Sequence, residues 1–561
     1  MSDYAVRLRP DRYDESCARL DQVAFGLALW ERRLDVWGAD PGLQARIGHR
    51  LGWLRALDLV EPHVDRLRAC ARAVTADGFT DVVLLGMGGS SLGPEVLRQV
   101  VGAADGAPRF RMLDSTDPDA VAAALDRVSA TVFLLASKSG STVEPNAMAA
   151  AARDRLAAAG IVDWGSRFIA VTDEGTTLHQ LAKTAGFRDV FVNPSDIGGR
   201  YSVLSYFGML PASLLGADLT ALIAHGRRME RACRHAASAG NPGLALGAFM
   251  ASAALRGRDK LTVLLPDPLR ALGLWIEQLV AESTGKSGQG VVPVVGEPVD
   301  LTPVAGDRAV VAVRLAGEGP SEELLAAVTA AGVPLLLIDV PDPTAITAEF
   351  FRWQFATAAA GYLLGINPFD EPNVQQAKDA TRSLLDRYAL SRQLPAPESS
   401  ASVHGARVAL SSEAQARLNG HQPTNLASLI GGGDYVCLLP YLPPDDPTLA
   451  PVLERFLARV SLASGCATML GYGPRYLHST GQLHKGGPNT GVFIVLTAAV
   501  HQDLPVPGEV YSFGVLETAQ AIGDFQSLDR TGRRAVHVQL PDRDPARLER
   551  VLNALLPPQG L

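Results

Sequence analysis

Apolar, β-branched runs with no polar alternation set the strongest constraint on how this chain folds: DVVLLG (81–86), TVFLLA (131–136), RFIAVTD (167–173) and LTVLLP (261–266). A strand that faces water on one side alternates apolar with polar residues, so runs like these belong to sheets covered on both faces. Ala/Leu-rich helical stretches lie between several of them, which is the pattern of strands joined in parallel by crossover helices. AVVAVRL (309–315) and VPLLLIDV (333–340) repeat the style. Residues 1–75, rich in Leu, Arg and Ala at helical spacing, read as a helical lead-in. The Pro/Ser-rich stretch LPAPESSASVHGA, around 391–405, marks a boundary. Beyond it DYVCLLP, GVFIVLT and AVHVQL predict more strand–helix structure. The expectation is an α/β protein: a helical N-terminal segment over 1–75, domains over 76–230 and 231–390, and an additional C-terminal α/β segment over 391–561. A length of 561 residues suits about three or four units.

With 47% hydrophobic residues the chain can fill large cores, and a net charge of −8 argues against a general affinity for nucleic acid or anionic membrane. An anionic substrate must then be held by local donors. The five cysteines (Cys17, Cys70, Cys233, Cys437, Cys466) lack CxxC spacing, so neither a disulfide framework nor a zinc site is indicated. That fits a reducing cytoplasm. The first residues, MSDYAVRLRPDRYDE, carry early acids and no apolar core, unlike a signal peptide, and no apolar run reaches bilayer length.

Around QLVAESTGKSGQGVVPV, Leu274, Leu279 and Val280 read as one side of a helix that exits into a Ser/Thr/Gly/Lys turn. Glu282 then lies in the last turn, four residues after Gln278. A carboxylate there meets the negative end of the helix dipole, which raises its pKa and suits a general base; a solvated helix-end Glu is the alternative. LLGMGGSSLGPEV opens strand 81–86 into a turn where Gly86, Gly88 and Gly89 let backbone amides approach an anion and Ser90 adds a hydroxyl, unless the turn is merely tight. The third glycine of a dinucleotide fingerprint falls late, at Gly93, so that reading fits poorly. LLASKSGSTVEPNAM gathers Ser137, Ser139, Ser141 and Thr142 around Lys138 and Gly140, a set that suits a monophosphate or simply caps the next helix. Two such loops without GxxxxGK[ST] suggest a phosphosugar pocket rather than a nucleotide site. Arg200, straight after Gly198 and Gly199, is placed to meet a developing oxyanion or to form an ordinary surface ion pair. Lys378 lies on a helix begun after Pro372.

GMGGSSLGP, ASKSGST, GGRYSVLS, QLVAESTGKSGQGVVPV and GINPFDEPNVQQAK together resemble the signature segments of the glucose-6-phosphate isomerase family, over roughly residues 80–380. The resemblance implies two sugar-isomerase (SIS) domains with parallel sheets flanked by helices, and a homodimer with sites at its interface. It implies interconversion of glucose 6-phosphate and fructose 6-phosphate through a cis-enediolate, in glycolysis and gluconeogenesis, with no metal or organic cofactor. By the same resemblance Ser90, Ser137, Ser139 and Thr142 bind the substrate phosphate, with Lys138 contributing its backbone. Gly89, Gly199, Gln278 and Glu371 are substrate contacts, Glu282 is the base, Arg200 stabilises the intermediate, and Lys378 opens the ring or orients substrate.

The order of segments departs from the family. No histidine lies between Glu282 and Lys378, where a segment like HSxGQ is usual. HSTGQ occurs instead at 478–482, past the Pro/Ser-rich boundary, which makes His478 the candidate for ring opening, a role for which histidine is suited near neutral pH. His484 and His421 are its rivals, and a structural histidine is the alternative. Glu371 stands where the family has Gln, and Pro145 where it has Thr. The relocated histidine is similar to the arrangement in the isomerase halves of transaldolase–isomerase fusions, although about 80 N-terminal residues cannot hold a barrel. A related isomerase that also accepts mannose 6-phosphate, and a sugar-phosphate sensor without catalysis, remain open; Glu282 argues against the sensor.

Overall fold

The apolar runs become strands of three sheets in a computed structural model, which describes residues 6–9, 13–297, 306–419 and 425–556. A short strand β1 (Val6–Arg9) is followed by helices as far as Ala76. The first sheet then forms from β2 (Asp81–Gly86), β3 (Arg109–Leu113), β4 (Thr131–Ala136), β5 (Phe168–Asp173) and β6 (Asp189–Asn193), all parallel in the order β3-β2-β4-β5-β6. β2, β4 and β5 are buried at every position, as runs without polar alternation require.

The second sheet takes β7 (Lys260–Leu264), β8 (Val292–Val295), β9 (Arg308–Leu315) and β10 (Leu335–Val340) in the order β10-β9-β7-β8, again parallel. The all-helical expectation for residues 1–75 needs one correction here. β1 adds to this sheet antiparallel, with Val6 opposite Ile338, and covers the backbone edge that β10 would otherwise expose. The third sheet comprises β11 (Ala401–Val403), β12 (Ala406–Leu410), β13 (Tyr435–Tyr441), β14 (Ala467–Leu470), β15 (Gly491–Ala498) and β16 (Arg534–Leu540). Its order is β11-β12-β16-β15-β13-β14, with β11 and β12 antiparallel and the rest parallel.

The cores explain how distant segments meet. One continuous core joins the N-terminal helices, one face of the first sheet and one face of the second, through residues such as Trp53, Val82, Leu279 and Val311. The opposite face of the first sheet packs against Phe513, Leu516, Ala519 and Ile522 of helix Phe513–Arg530 and against Leu384 and Leu385 of helix Val374–Ser391. Each of these Phe, Leu and Ile side chains contributes on the order of 1.5–3 kcal/mol on burial, so this face holds the C-terminal part firmly on the first sheet. A further core joins Val292 and Val294 of β8 to Leu477, Leu483 and one face of the third sheet. Residues near 478 are thus packed between the carboxyl ends of the first sheet's strands, where open α/β sheets bind ligands, and the third sheet, beside the loop that leads from residue 285 into β8.

Candidate active site

Helix Arg270–Thr284 carries Glu282 in its last turn, as its spacing predicts, but out of water: Glu282 is only 9% exposed. Gln278, one turn earlier, donates from Nε2 to Glu282 Oε2 at 3.3 Å, and Arg200 Nη1 lies 3.1 Å from Glu282 Oε1. Burial raises the Glu282 carboxyl above its ordinary range. Arg200 pulls it down, Glu371 pushes it up again, and Lys286 lowers it. A carboxyl raised in this way is a stronger proton acceptor than a solvated one, and the solvated alternative does not hold.

Arg200 is buried too, so the surface-pair alternative fails. A guanidinium has five N–H donors; Arg200 makes four hydrogen bonds and an ion pair with Glu282. Nε donates to Ser283 Oγ at 2.7 Å, Nη1 to Glu371 Oε2 at 2.9 Å while pairing with the Glu282 carboxylate, and Nη2 to Pro368 O at 2.9 Å and Asp370 O at 3.0 Å. A substrate oxygen that takes over one of these four hydrogen bonds must displace the partner. The Glu371 side chain, 38% exposed against 11% for Glu282, is the accessible one. The loop that presents Glu371 is itself fastened by Lys286, whose Nζ donates to Asn367 O at 2.5 Å and lies 2.9 Å from Asp370 Oδ1. Burial, with the nearby Arg200 charge, lowers the Lys286 amine to about 8.

These couplings predict a pH effect. Glu371→Gln removes a like charge that raises Glu282. A base is lost as pH falls through its pKa, so a lower pKa moves the acid limb of the kcat/KM profile to lower pH. A limb that stays in place or moves up contradicts the coupling.

The 3₁₀ turn Arg475–His478 delivers the distant histidine to this cluster. His478 Nε2 lies 2.9 Å from Glu144 Oε1, which also accepts from Gln520 Nε2 at 2.7 Å. Burial works to raise the Glu144 carboxyl, but the His478 ring and its hydrogen bond hold it below the ordinary carboxylate value. Glu144 thus stands as a carboxylate that fixes the ring's orientation. His478 O accepts from Gln278 Nε2 at 2.8 Å, which ties the histidine turn to the helix of Glu282. The glycine-rich turn closes against the same segments: a Cβ on Gly88, whose φ is +55°, would meet His478 O at 2.7 Å, and one on Gly89 would meet Gly199 O at 2.0 Å. Gln482 joins the pieces from behind, donating to Gly285 O at 2.9 Å and accepting from Asn373 N at 2.8 Å. The rival His484 is a core residue, fully buried against Tyr476 and Phe493, and burial holds its pKa well below the usual value. His421 lies outside the described residues.

The hydroxyl loop forms a tight crown after β4. Ser137 Oγ accepts from Gly140 N at 3.1 Å and donates to Thr142 Oγ1 at 3.3 Å, while Ser139 Oγ lies 3.4 Å from Thr142 Oγ1. Thr142 occupies the N-cap of helix Val143–Ala158, yet its side chain makes no capping bond, so hydroxyls and uncapped amides lie together at a positive helix end. The Lys138 side chain pairs with Asp173 and donates to Ser195 O at 3.0 Å, which leaves its backbone at the loop. Ser90 closes the buried turn Gly88–Ser90. Lys378 is not brought into the Glu282 cluster; it is exposed on its helix, and its charge reaches the site by lowering Glu144.

Glu144, Gln520, Lys286, Ser283 and Gln482 were not singled out from the sequence. Glu144, Lys286, Ser283 and Gln482 sit inside quoted motifs, whereas Gln520, on helix Phe513–Arg530, had no local signal. Among the described residues no cluster of three His, Cys, Asp or Glu is placed to hold a metal ion, and no helix is long and apolar enough to cross a membrane.

A family model described as phosphoglucose isomerase matches residues 56–294. A glucose-6-phosphate isomerase of Prochlorococcus marinus (strain MIT 9313) is 34% identical over 239 residues, 41% of this chain and 43% of that one. This chain thus spans less than half the length of the first curated relatives it matches. One from Rubrobacter xylanophilus is 30% identical over 407 residues, 62% of this chain and 93% of its own. Among solved structures, a hypothetical protein from Thermus thermophilus superposes with a TM-score of 0.57 at 26% identity, covering 68% of this chain and 99% of that one. A glucose-6-phosphate isomerase from Chlamydia trachomatis shares the fold, with a TM-score of 0.50 at 20% identity, covering 65% and 79%.

Proposed function

Because this chain belongs to the phosphoglucose isomerase family, we propose that it interconverts glucose 6-phosphate and fructose 6-phosphate through a cis-enediolate. The observation that carries this reading is the buried Glu282, raised in pKa and set between Arg200 and Gln278, with His478 tied to Gln278 through its carbonyl.

In this reading the crown of Ser137, Ser139 and Thr142, with Ser90, the Lys138 backbone and Gly89, receives the phosphate, whose oxygens accept several hydrogen bonds at once. His478, oriented by Glu144, gives a proton to the ring oxygen and opens the ring. Glu282 lifts the proton from carbon 2 and returns it to carbon 1. A positioned base contributes about 10²–10⁴-fold. Negative charge then grows on the two enediolate oxygens, beside the buried, fixed cation of Arg200, which is aimed where that charge develops. Gln278, Gly199 and Glu371 frame the sugar, and Lys378 approaches from the side of Glu144. A homodimer is the assembly the resemblance implies, but here the histidine reaches Glu282's cluster within one chain. The five cysteines are free thiols, in keeping with a cytoplasmic enzyme.

The test is to incubate fructose 6-phosphate with the protein in heavy water. Deuterium at carbon 2 of glucose 6-phosphate is expected. Substantial mannose 6-phosphate points instead to the broader isomerase, and binding without exchange to a sensor.

A further inference from the structure

The histidine turn is fastened at both ends. Arg475 opens it and His478 closes it, and in a 3₁₀ turn side chains three residues apart eclipse, so the two project from one side. Each meets a carboxylate at the carboxyl end of the first sheet. Arg475 donates from Nε to Asp114 Oδ2 at 2.9 Å and from Nη2 to Asp114 Oδ1 at 2.8 Å, while His478 meets Glu144. The Arg475 pair is the two-pronged geometry that fixes direction as well as distance. Asp114 directly follows β3 and is 5% exposed.

The contacts then return to the same stretch of chain. Gln520, which donates to Glu144 Oε1, accepts at Oε1 from Thr116 Oγ1 at 2.9 Å. Thr116 is fully buried and lies two residues after Asp114. A closed circuit therefore runs from Asp114 through Arg475, His478, Glu144 and Gln520 to Thr116. It joins residues 114–144 to two segments more than 330 residues further along the chain.

We propose that Asp114 and Arg475 are positioning residues for His478: their ion pair docks the C-terminal histidine turn on the first sheet and so sets where the ring-opening proton is delivered. This rests on the role of His478 proposed above. Neither residue touches the reacting atoms. Asp114 acts through the turn, and Thr116 and Gln520 brace Glu144 from the other side. A group that transfers a proton is sensitive to small displacements, and misplacement by about 1 Å costs on the order of 10²-fold. Loosening one of the two fastenings should therefore cost about tenfold or more in kcat with closed-ring substrate.

The experiment is a double-mutant comparison at full chain length. Asp114→Asn and Arg475→Gln are each measured alone and in a His478→Ala background, with melting temperatures taken alongside. Each alone is expected to lower kcat about tenfold or more with KM little changed, and neither should lower it further once His478 is absent, because residues acting as one unit do not add. Arg475→Lys should recover part of the activity. Equal losses in both backgrounds overturn the proposal by showing a general structural role, and so does normal activity of Asp114→Asn and Arg475→Gln. If His478→Ala itself leaves turnover unchanged, it is the histidine assignment that fails. If a variant does not fold, Thr116→Val tests the other end of the circuit under the same criteria, with the same outcome expected.

Discussion

Glu282→Gln is expected to fold and to bind sugar phosphate while losing about 10²–10⁴-fold in kcat, the contribution of a positioned base. The amide keeps the shape and can still meet Gln278, while Glu371 remains to neutralise Arg200. That matters because a buried charge stripped of every partner costs several kcal/mol, enough to confuse lost folding with lost chemistry. The check is turnover of fructose 6-phosphate together with calorimetric binding of a linear sugar-phosphate analogue. Turnover within threefold of the parent overturns the base assignment.

His478→Ala is expected to lose a comparable factor, about 10²–10⁴-fold, and selectively with closed-ring substrate, because only ring opening needs the additional acid. Proton exchange on the open-chain sugar should be affected far less. A mixture of Glu282→Gln and His478→Ala chains extends the test. Glu282 and His478 meet within a single chain, linked through Gln278, so mixing the two inactive variants should restore nothing. Recovery toward a quarter or more of the parent rate would show that the histidine crosses between chains.

The local parts of the site were legible because each is a short motif whose chemistry is written in its residue types. A strand running into glycines or hydroxyls suits an anion, and a glutamate in the last turn of an apolar helix suits a base. The parallel sheets were legible for a similar reason, since burial on both faces removes polar alternation from β2, β4 and β5. What could not be read was pairing at long range. Arg200 reads as an arginine available to an oxyanion until four of its donors are traced to Ser283, Glu371, Pro368 and Asp370 and its charge to Glu282. β1 hides within a helical stretch because a single edge strand carries almost no periodic signal, and it forms to cover β10.

The sequence by itself determined the inventory: glycine- and hydroxyl-rich loops after strands, a glutamate, an arginine and a displaced HSTGQ segment, all properties of neighbouring residues. Only the tertiary structure decided that His478 meets Glu144, that the glycines of the first turn make room for His478 and Gly199, and that burial raises Glu282. The reason is physical. Composition and spacing fix what a segment can form, whereas burial and partnership depend on which faces pack together. Here the first sheet's outer face takes up helix Phe513–Arg530, and with that packing the far end of the chain is drawn back to Glu282.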